Sequence, residues 1–480
     1  MARNYIYLAV AEMASKVVTF AAIAFLARVV GPAAYGYFEF AAAALFCAGL
    51  IVDQGLGPYG AREIAKSPER PTELVWQIVA LRFGLALLAT GAVLVFAFAF
   101  EHLPVVTQLL LIYAFDLLLM PLLLQWVFQG HDAMGAVAAL QVIRQTLFGL
   151  VIFAFVREPA QVWIVAVAEG VGVAGAALCG MAKSVRRFGW AWMPRFSIPL
   201  QVLRESIPIG LGQIFWVVRM YGATLLVGLV ALPQEVGYFG ASVRVFVALH
   251  AFIYLYFFNL LPSLARKWQA GNASFETFTA RHVHRIAWLC VIAVPLWIIT
   301  APFVITAAYG AAFAPAAGVL QWLGIVFGAA WVDGHYRFGL IAAGAQKAEM
   351  QTQLFGAVTA VVTIPFFYWR AGLDGAGFAL LLAELVVWAA AWWFARTKLN
   401  LKGHAVLLLR PVIGMLGAIG LLWLTTALPL GARIVVVAGV LGASMFVLDG
   451  ELRLDLYTQI RSMRAQLRER VARLARIRST

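Results

Sequence analysis

Eight basic side chains interrupt runs that are otherwise apolar: Lys16, Arg28, Arg82, Arg144, Arg219, Arg244, Arg337 and Arg410. Six acids do the same: Glu12, Asp53, Asp116, Glu169, Asp333 and Glu384. An ionised group in mid-hydrocarbon costs at least about 2.5–3.5 kcal/mol on insertion scales, so each needs water, an opposite charge or a bound ion. Arginine keeps its charge and forks onto phosphate or carboxylate oxygens. These residues therefore offer anion contact, ion pairing or ion coupling. Glu12 with Lys16 and Asp333 with Arg337 are each spaced four apart and share a helix face. Arg219 has no acid within four positions, so it must face a water-filled cavity or a carboxylate from another element.

Nothing in the chain suggests covalent chemistry. It has no P-loop motif, which argues against an ATPase. His282 and His284 are two apart and would not share a helix face. Cys47, Cys179 and Cys290 lie in apolar runs without metal spacing and read as small core residues. No catalytic residue, no metal and no cofactor are expected, although coupling to H+ or Na+ stays open.

The elements that carry these charges are set by composition. Of the 480 residues, 63% are hydrophobic and 12% charged. A soluble domain is about 45–50% apolar and about 25% charged. Most of the chain therefore sits in lipid, and an all-α integral membrane fold is predicted. A membrane helix needs about 20 mostly apolar residues. Roughly fourteen such runs occur, at about 5–30, 37–58, 74–100, 105–128, 134–156, 160–182, 207–231, 240–264, 286–308, 316–343, 350–369, 374–395, 405–427 and 432–448. Glu12 and Lys16 interrupt the first, which reads as a retained span rather than a cleaved signal.

The net charge of +14 does not point to nucleic acid. With the N-terminus inside, 25 of the 36 basic residues fall in inner segments. Only Arg157, Arg370 and Arg433 fall in outer joints. Lys and Arg gather in cytoplasmic loops, so the N- and C-termini are both placed inside and the number of spans is even. By depth, Arg28 and Arg410 can snorkel to an interface. Arg82 sits a third of the way into span three. Lys16, Arg144 and Arg219 are near mid-span, and Arg244 is near the outer end of span eight.

The turn GPAAYGYF at 31–38 returns as LPQEVGYF at 232–239, with Pro, Gly, Tyr and Phe all shifted by 201. Both turns are outer joints, six spans apart. The chain therefore divides into a six-helix lobe at 1–184, a basic cytoplasmic linker at 185–206 and a second six-helix lobe at 207–396. Two further spans follow at 405–448. Parallel repeats with a central cavity at their interface are a transporter layout. After Asp449, the segment 449–480 alternates apolar and arginine positions, as an amphipathic basic helix does. It could lie on the anionic inner leaflet, stay solvated, or meet a partner.

The stretches FLARVVGPAAYGYFEF, DQGLGPYGAREIAK, QGHDAMG and PQEVGYFGASVRV resemble the polysaccharide-transporter branch of the multidrug/oligosaccharidyl-lipid/polysaccharide exporter superfamily. The resemblance covers most of the chain. It implies two lobes around a V-shaped cavity. It also implies a flippase of the inner membrane that moves undecaprenyl-pyrophosphate-linked oligosaccharide, an O-antigen or exopolysaccharide unit, to the periplasmic leaflet. The expected partners are that lipid-linked oligosaccharide, membrane lipids and polysaccharide polymerase or assembly proteins. On that expectation Arg219, Arg244, Arg144 and Lys16 form an electropositive lining for pyrophosphate or acidic sugars. Trp216 and Tyr221, which flank Arg219, would pack on sugar rings. Asp53 is a cap for an unwinding helix end or a coupling acid, as Glu12 and Asp333 could also be. Two other readings remain. A multidrug antiporter of the same superfamily predicts a more acidic cavity, whereas deep bases outnumber acids here. A glycan polymerase or ligase predicts a sizeable outer loop, and no outer joint exceeds about ten residues.

Overall fold

The computed structural model describes residues 2–66, 71–99, 104–188, 200–401, 404–450 and 453; side chains at 2–14, 71–72, 99, 200, 208–209, 211–213 and 404–407 are not described. Among the described residues the chain is helical and contains no strand. The helices run in order α1 (Ala2–Asp53), α2 (Leu56–Lys66), α3 (Pro71–Ala99), α4 (Pro104–Leu119), α5 (Gln125–Gly130), α6 (Met134–Phe155), α7 (Ile164–Phe188), α8 (Leu200–Gly228) and α9 (Pro233–Gln269). They continue as α10 (Asn272–Tyr309), α11 (Ala316–Ala342), α12 (Gln346–Lys398), α13 (His404–Leu424) and α14 (Leu430–Leu448).

Ten of these stretches are long and apolar enough to cross a membrane. Large apolar side chains such as Leu88, Val95, Trp369 and Val447 stand exposed on them. Outward apolar surface of this kind is stable only where lipid is the solvent. The chain is a multi-pass membrane protein.

Two helices contain a break. In α1, of 52 residues, Gly31 takes φ 76° and ψ 170°. At about 1.5 Å per residue an unbroken helix of that length would reach about 78 Å, far beyond a hydrocarbon core of about 30 Å. A positive φ suits glycine, and the following Pro32 opens a new helix without needing its missing N–H. In α12 the break falls at Ala371 and at Gly372, which has φ 57°. A third interruption lies within the run expected as span four: α4 stops at Leu119, a 3-10 turn spans Met120–Leu122, and α5 resumes at Gln125.

The chain forms two compact units whose boundaries fall inside helices. The first holds the described residues up to Phe252, with Pro302–Leu323 and Lys347–Ala390. The second holds Ile253–Ala301, Gly324–Gln346 and the described residues from Ala391 onward. This is a division by packing, whereas the division at 184 and 207 follows the repeat.

In the second unit, Trp288, Val291, Ile299, Ala418, Val437 and Leu441 form a core that joins α10 to α13 and α14. Asp449, just past α14, fastens that end. It is fully buried, accepts a hydrogen bond from Trp288 Nε1 at 2.7 Å and pairs with His284. Asp449→Ala would leave a buried indole N–H without its acceptor, which costs about 1–3 kcal/mol. A lower unfolding temperature of the purified protein is the expected result, with Trp288 fluorescence reporting the loosened end. The expected basic helix from 451 onward, apart from Arg453, lies outside the described residues.

Candidate functional site

The first unit brings the two copies of the repeated turn against each other. A Cβ at Gly36 would overlap the carbonyl of Pro233, and a Cβ at Gly237 would overlap the carbonyl of Pro32. Residue 32 corresponds to 233 and residue 36 to 237 by the same shift of 201. The contact is therefore reciprocal, as across a two-fold axis. Glycine permits it, because small residues let helix backbones approach closely in a membrane. Around it, Tyr35 stands edge-on to Phe313, ring centroids 5.5 Å apart, and Tyr238 meets the same ring at 6.0 Å.

Charge breaks this symmetry. Glu39 on α1 pairs with Arg244 on α9. The positions related to them by the shift are Gly240 and Ala43, which carry no charge. Gly240 leaves the space the Glu39 side chain fills, since a Cβ there would meet Glu39 Cγ at 2.5 Å. Arg244 also lies over the Phe38 ring, 4.9 Å from its centroid. Sequence reading missed Glu39, although the pattern GYFEF places it three residues after Gly36.

The other deep arginines are paired too. Arg219 on α8 meets Glu384 on α12, with Nη1 to Oε2 at 2.7 Å, and each residue is 1% exposed. Gly356, on the other half of α12, leaves room for the guanidinium: a Cβ there would sit 3.4 Å from Arg219 Nη1. Arg144 on α6 pairs with Glu169 on α7. Arg82 on α3 pairs with Asp53 and donates to the Leu123 carbonyl at 3.3 Å. Arg28 donates to the carbonyls of Ala307 and Ala308 near the C-terminal end of α10, where helix carbonyls lack intrahelical partners.

These placements bear on each expected site residue. In this conformation Arg219 is buried against a carboxylate and does not line a water-filled cavity, because a guanidinium in hydrocarbon is neutralised most directly by an acid from the next helix. Arg144 and Arg244 are half-buried and likewise paired. Lys16 is exposed on α1, and the side chain of Glu12, its expected partner, lies outside the described residues. Asp53 accepts from the Gly57 N–H at 3.3 Å, as a capping acid does at the start of α2, while also holding Arg82. In the second unit Asp333 is fully buried, with Arg337 Nη1 at 3.9 Å from its Oδ1. Trp216 and Tyr221 do come together, edge to face at 6.4 Å. Two residues not foreseen join them. Phe46 stacks on Tyr221 at 4.1 Å, and His250 lies 5.8 Å from Trp216. Among the described residues no group of His, Cys, Asp and Glu could hold a metal ion.

A family model described as "Polysaccharide biosynthesis protein" matches residues 1–268, more than half of the chain. The chain belongs to that family. The matched segment contains both copies of the repeated turn and the paired arginines Arg82, Arg144 and Arg244 with their acids. A protein of Escherichia coli (strain K12), named for O-antigen transport, is 22% identical over 251 residues, or 50% of this chain. The chain matches only 59% of that relative's length. Among solved structures, the lipid II flippase MurJ in an inward closed conformation superposes with a TM-score of 0.70 at 12% identity, covering 94% of this chain and all of that one. An inward-facing multidrug resistance MATE family transporter of the MOP superfamily gives a TM-score of 0.64 at 14% identity, covering 80% of this chain and 94% of that one. At such identities the likeness shows a shared fold. The chain therefore shares its fold with the flippase MurJ and with a MATE family transporter.

Proposed function

We propose that this protein flips an undecaprenyl-pyrophosphate-linked oligosaccharide, an O-antigen or exopolysaccharide unit, from the cytoplasmic to the periplasmic leaflet of the inner membrane. The motion is alternating access between the two repeats. The observation that carries the reading is the reciprocal contact of Gly36 with Pro233 and of Gly237 with Pro32, inside a polysaccharide-family segment. A dry backbone contact between two repeats can form and part as a unit, which an alternating barrier requires. The grouped rings of Trp216, Tyr221 and Phe46 offer faces on which sugars pack. Each of the two broken helices would cross twice. With the shorter apolar helices Ile214–Gly228 and Leu408–Leu424, the ten long stretches then give the fourteen crossings read from the sequence.

Deleting the gene should strand lipid-linked units in the inner leaflet while their synthesis continues, with loss of surface glycan. One observation favours the antiporter reading. All four deep arginines are matched by carboxylates, so the surplus of bases counted along the chain is no guide to an anionic cargo. Normal glycan with altered drug sensitivity in the deletion would establish that alternative. The orientation has its own test. Reporters fused after Arg187 and Arg266 should read cytoplasmic, and one near Gln234 periplasmic. A cytoplasmic Gln234 would remove the two repeated turns from a common side.

A further inference from the structure

One arginine of the first unit has two acids beside it. Arg144 on α6 pairs with Glu169 on α7. Asp116 on α4 is 1% exposed and lies against the backbone of Gly170, the residue after Glu169. Its Oδ2 has no hydrogen-bond partner among the described residues. With both acids ionised, this group would carry a net negative charge inside the membrane. An uncompensated buried charge is the costly state, and binding a proton removes it. Glu169 already has the guanidinium as its partner, whereas Asp116 Oδ2 has none among the described residues, so Asp116 is the acid that takes the proton.

The elements packed against α4 supply no other remedy. From α3, Arg82 is engaged by Asp53, and Thr90 donates to the Ala114 carbonyl at 3.1 Å. From α1, Glu39 is engaged with Arg244, Arg28 with the carbonyls of Ala307 and Ala308, and Lys16 is exposed. From α7 comes Glu169 itself. On α4 itself, Tyr113 is buried.

We propose that Asp116, set against the Arg144–Glu169 pair, is a proton-binding site whose loading and release couple this transporter to the proton gradient. When the site faces water, Asp116 gives up its proton and is solvated. When it is closed, Asp116 must be neutral. The site is a property of α4, α6 and α7 and does not depend on which cargo is carried.

The test is infrared difference spectroscopy on the purified full-length protein, titrated with pH in sodium-free buffer. The wild type should show a protonated-carboxyl absorption at neutral pH that is lost on alkalinisation. Asp116→Asn, which imitates the protonated form and should insert normally, should lack that band. Glu169→Gln should lose it at lower pH than the wild type, because the neighbouring negative charge is gone. An identical band in Asp116→Asn and wild type overturns the proposal. So does a band displaced by sodium and indifferent to pH. In cells, export by Asp116→Asn at normal abundance should be lost or become insensitive to a protonophore. Wild-type export with wild-type sensitivity would also overturn it. The spectroscopic result stands even if deletion of the gene leaves surface glycan unchanged, so this inference and the cargo reading fail separately.

Discussion

Arg219→Ala is expected to deplete the protein from the membrane, not to leave an inserted and inactive transporter. Its partner Glu384 is 1% exposed and 2.7 Å away. Removing the guanidinium leaves a carboxylate buried alone, and breaking such a pair from one side costs about 3–5 kcal/mol. Arg219→Lys should recover part of the abundance, since the charge stays while the planar fork is lost. Arg219→Met with Glu384→Gln in the same chain should recover more, because neither residue then carries a charge that needs a partner. Membrane abundance and surface glycan measured together decide the matter. Normal abundance with lost export in Arg219→Ala would instead make Arg219 a cargo contact exposed in another conformation. Normal abundance with full export would dismiss both roles.

The second large effect is expected at the reciprocal turn. Alanine in a helix is ordinarily better than glycine by about 0.5–1 kcal/mol. Gly36→Ala and Gly237→Ala should reverse that sign. The new methyl at Gly36 would lie 2.7 Å from the Pro233 carbonyl carbon and 2.9 Å from the Gly237 nitrogen, and backbone cannot rotate out of the way as a side chain can. Overpacking of this kind costs about 1–3 kcal/mol. Export should fall further than stability does, because the contact must re-form in each cycle. Gly91→Ala on α3 is the control, since nothing lies within 4 Å of the added methyl. The measurements are unfolding temperature and surface glycan in the three variants. Equal behaviour of Gly36→Ala and Gly91→Ala would mean that the two turns do not bear on each other in the working protein.

Much of this protein is written in its sequence. The apolar runs are long because each backbone N–H and C=O in hydrocarbon must be bonded within its own helix. Length and hydropathy therefore locate α3, α6, α11 and α14 almost to the residue. Basic residues in the joints suggest an orientation, and the shift of 201 between the two turns reveals a repeat before any coordinate is known. Local spacing also finds the pair of Asp333 with Arg337, because residues four apart on a helix are neighbours. It does not find the partners of Arg144, Arg219 and Arg244. Those acids lie 25, 165 and 205 positions away, on helices whose rotation about their axes no periodicity fixes when every face is apolar. A count along the chain therefore makes the interior look basic, while the packed helices neutralise it pair by pair. The repeat itself has the same limit. Sequence by itself determined that a Pro–Gly turn occurs twice in equivalent places. Only the tertiary structure decided that each copy uses the other as its partner, because close approach of two backbones depends on where whole helices lie in space.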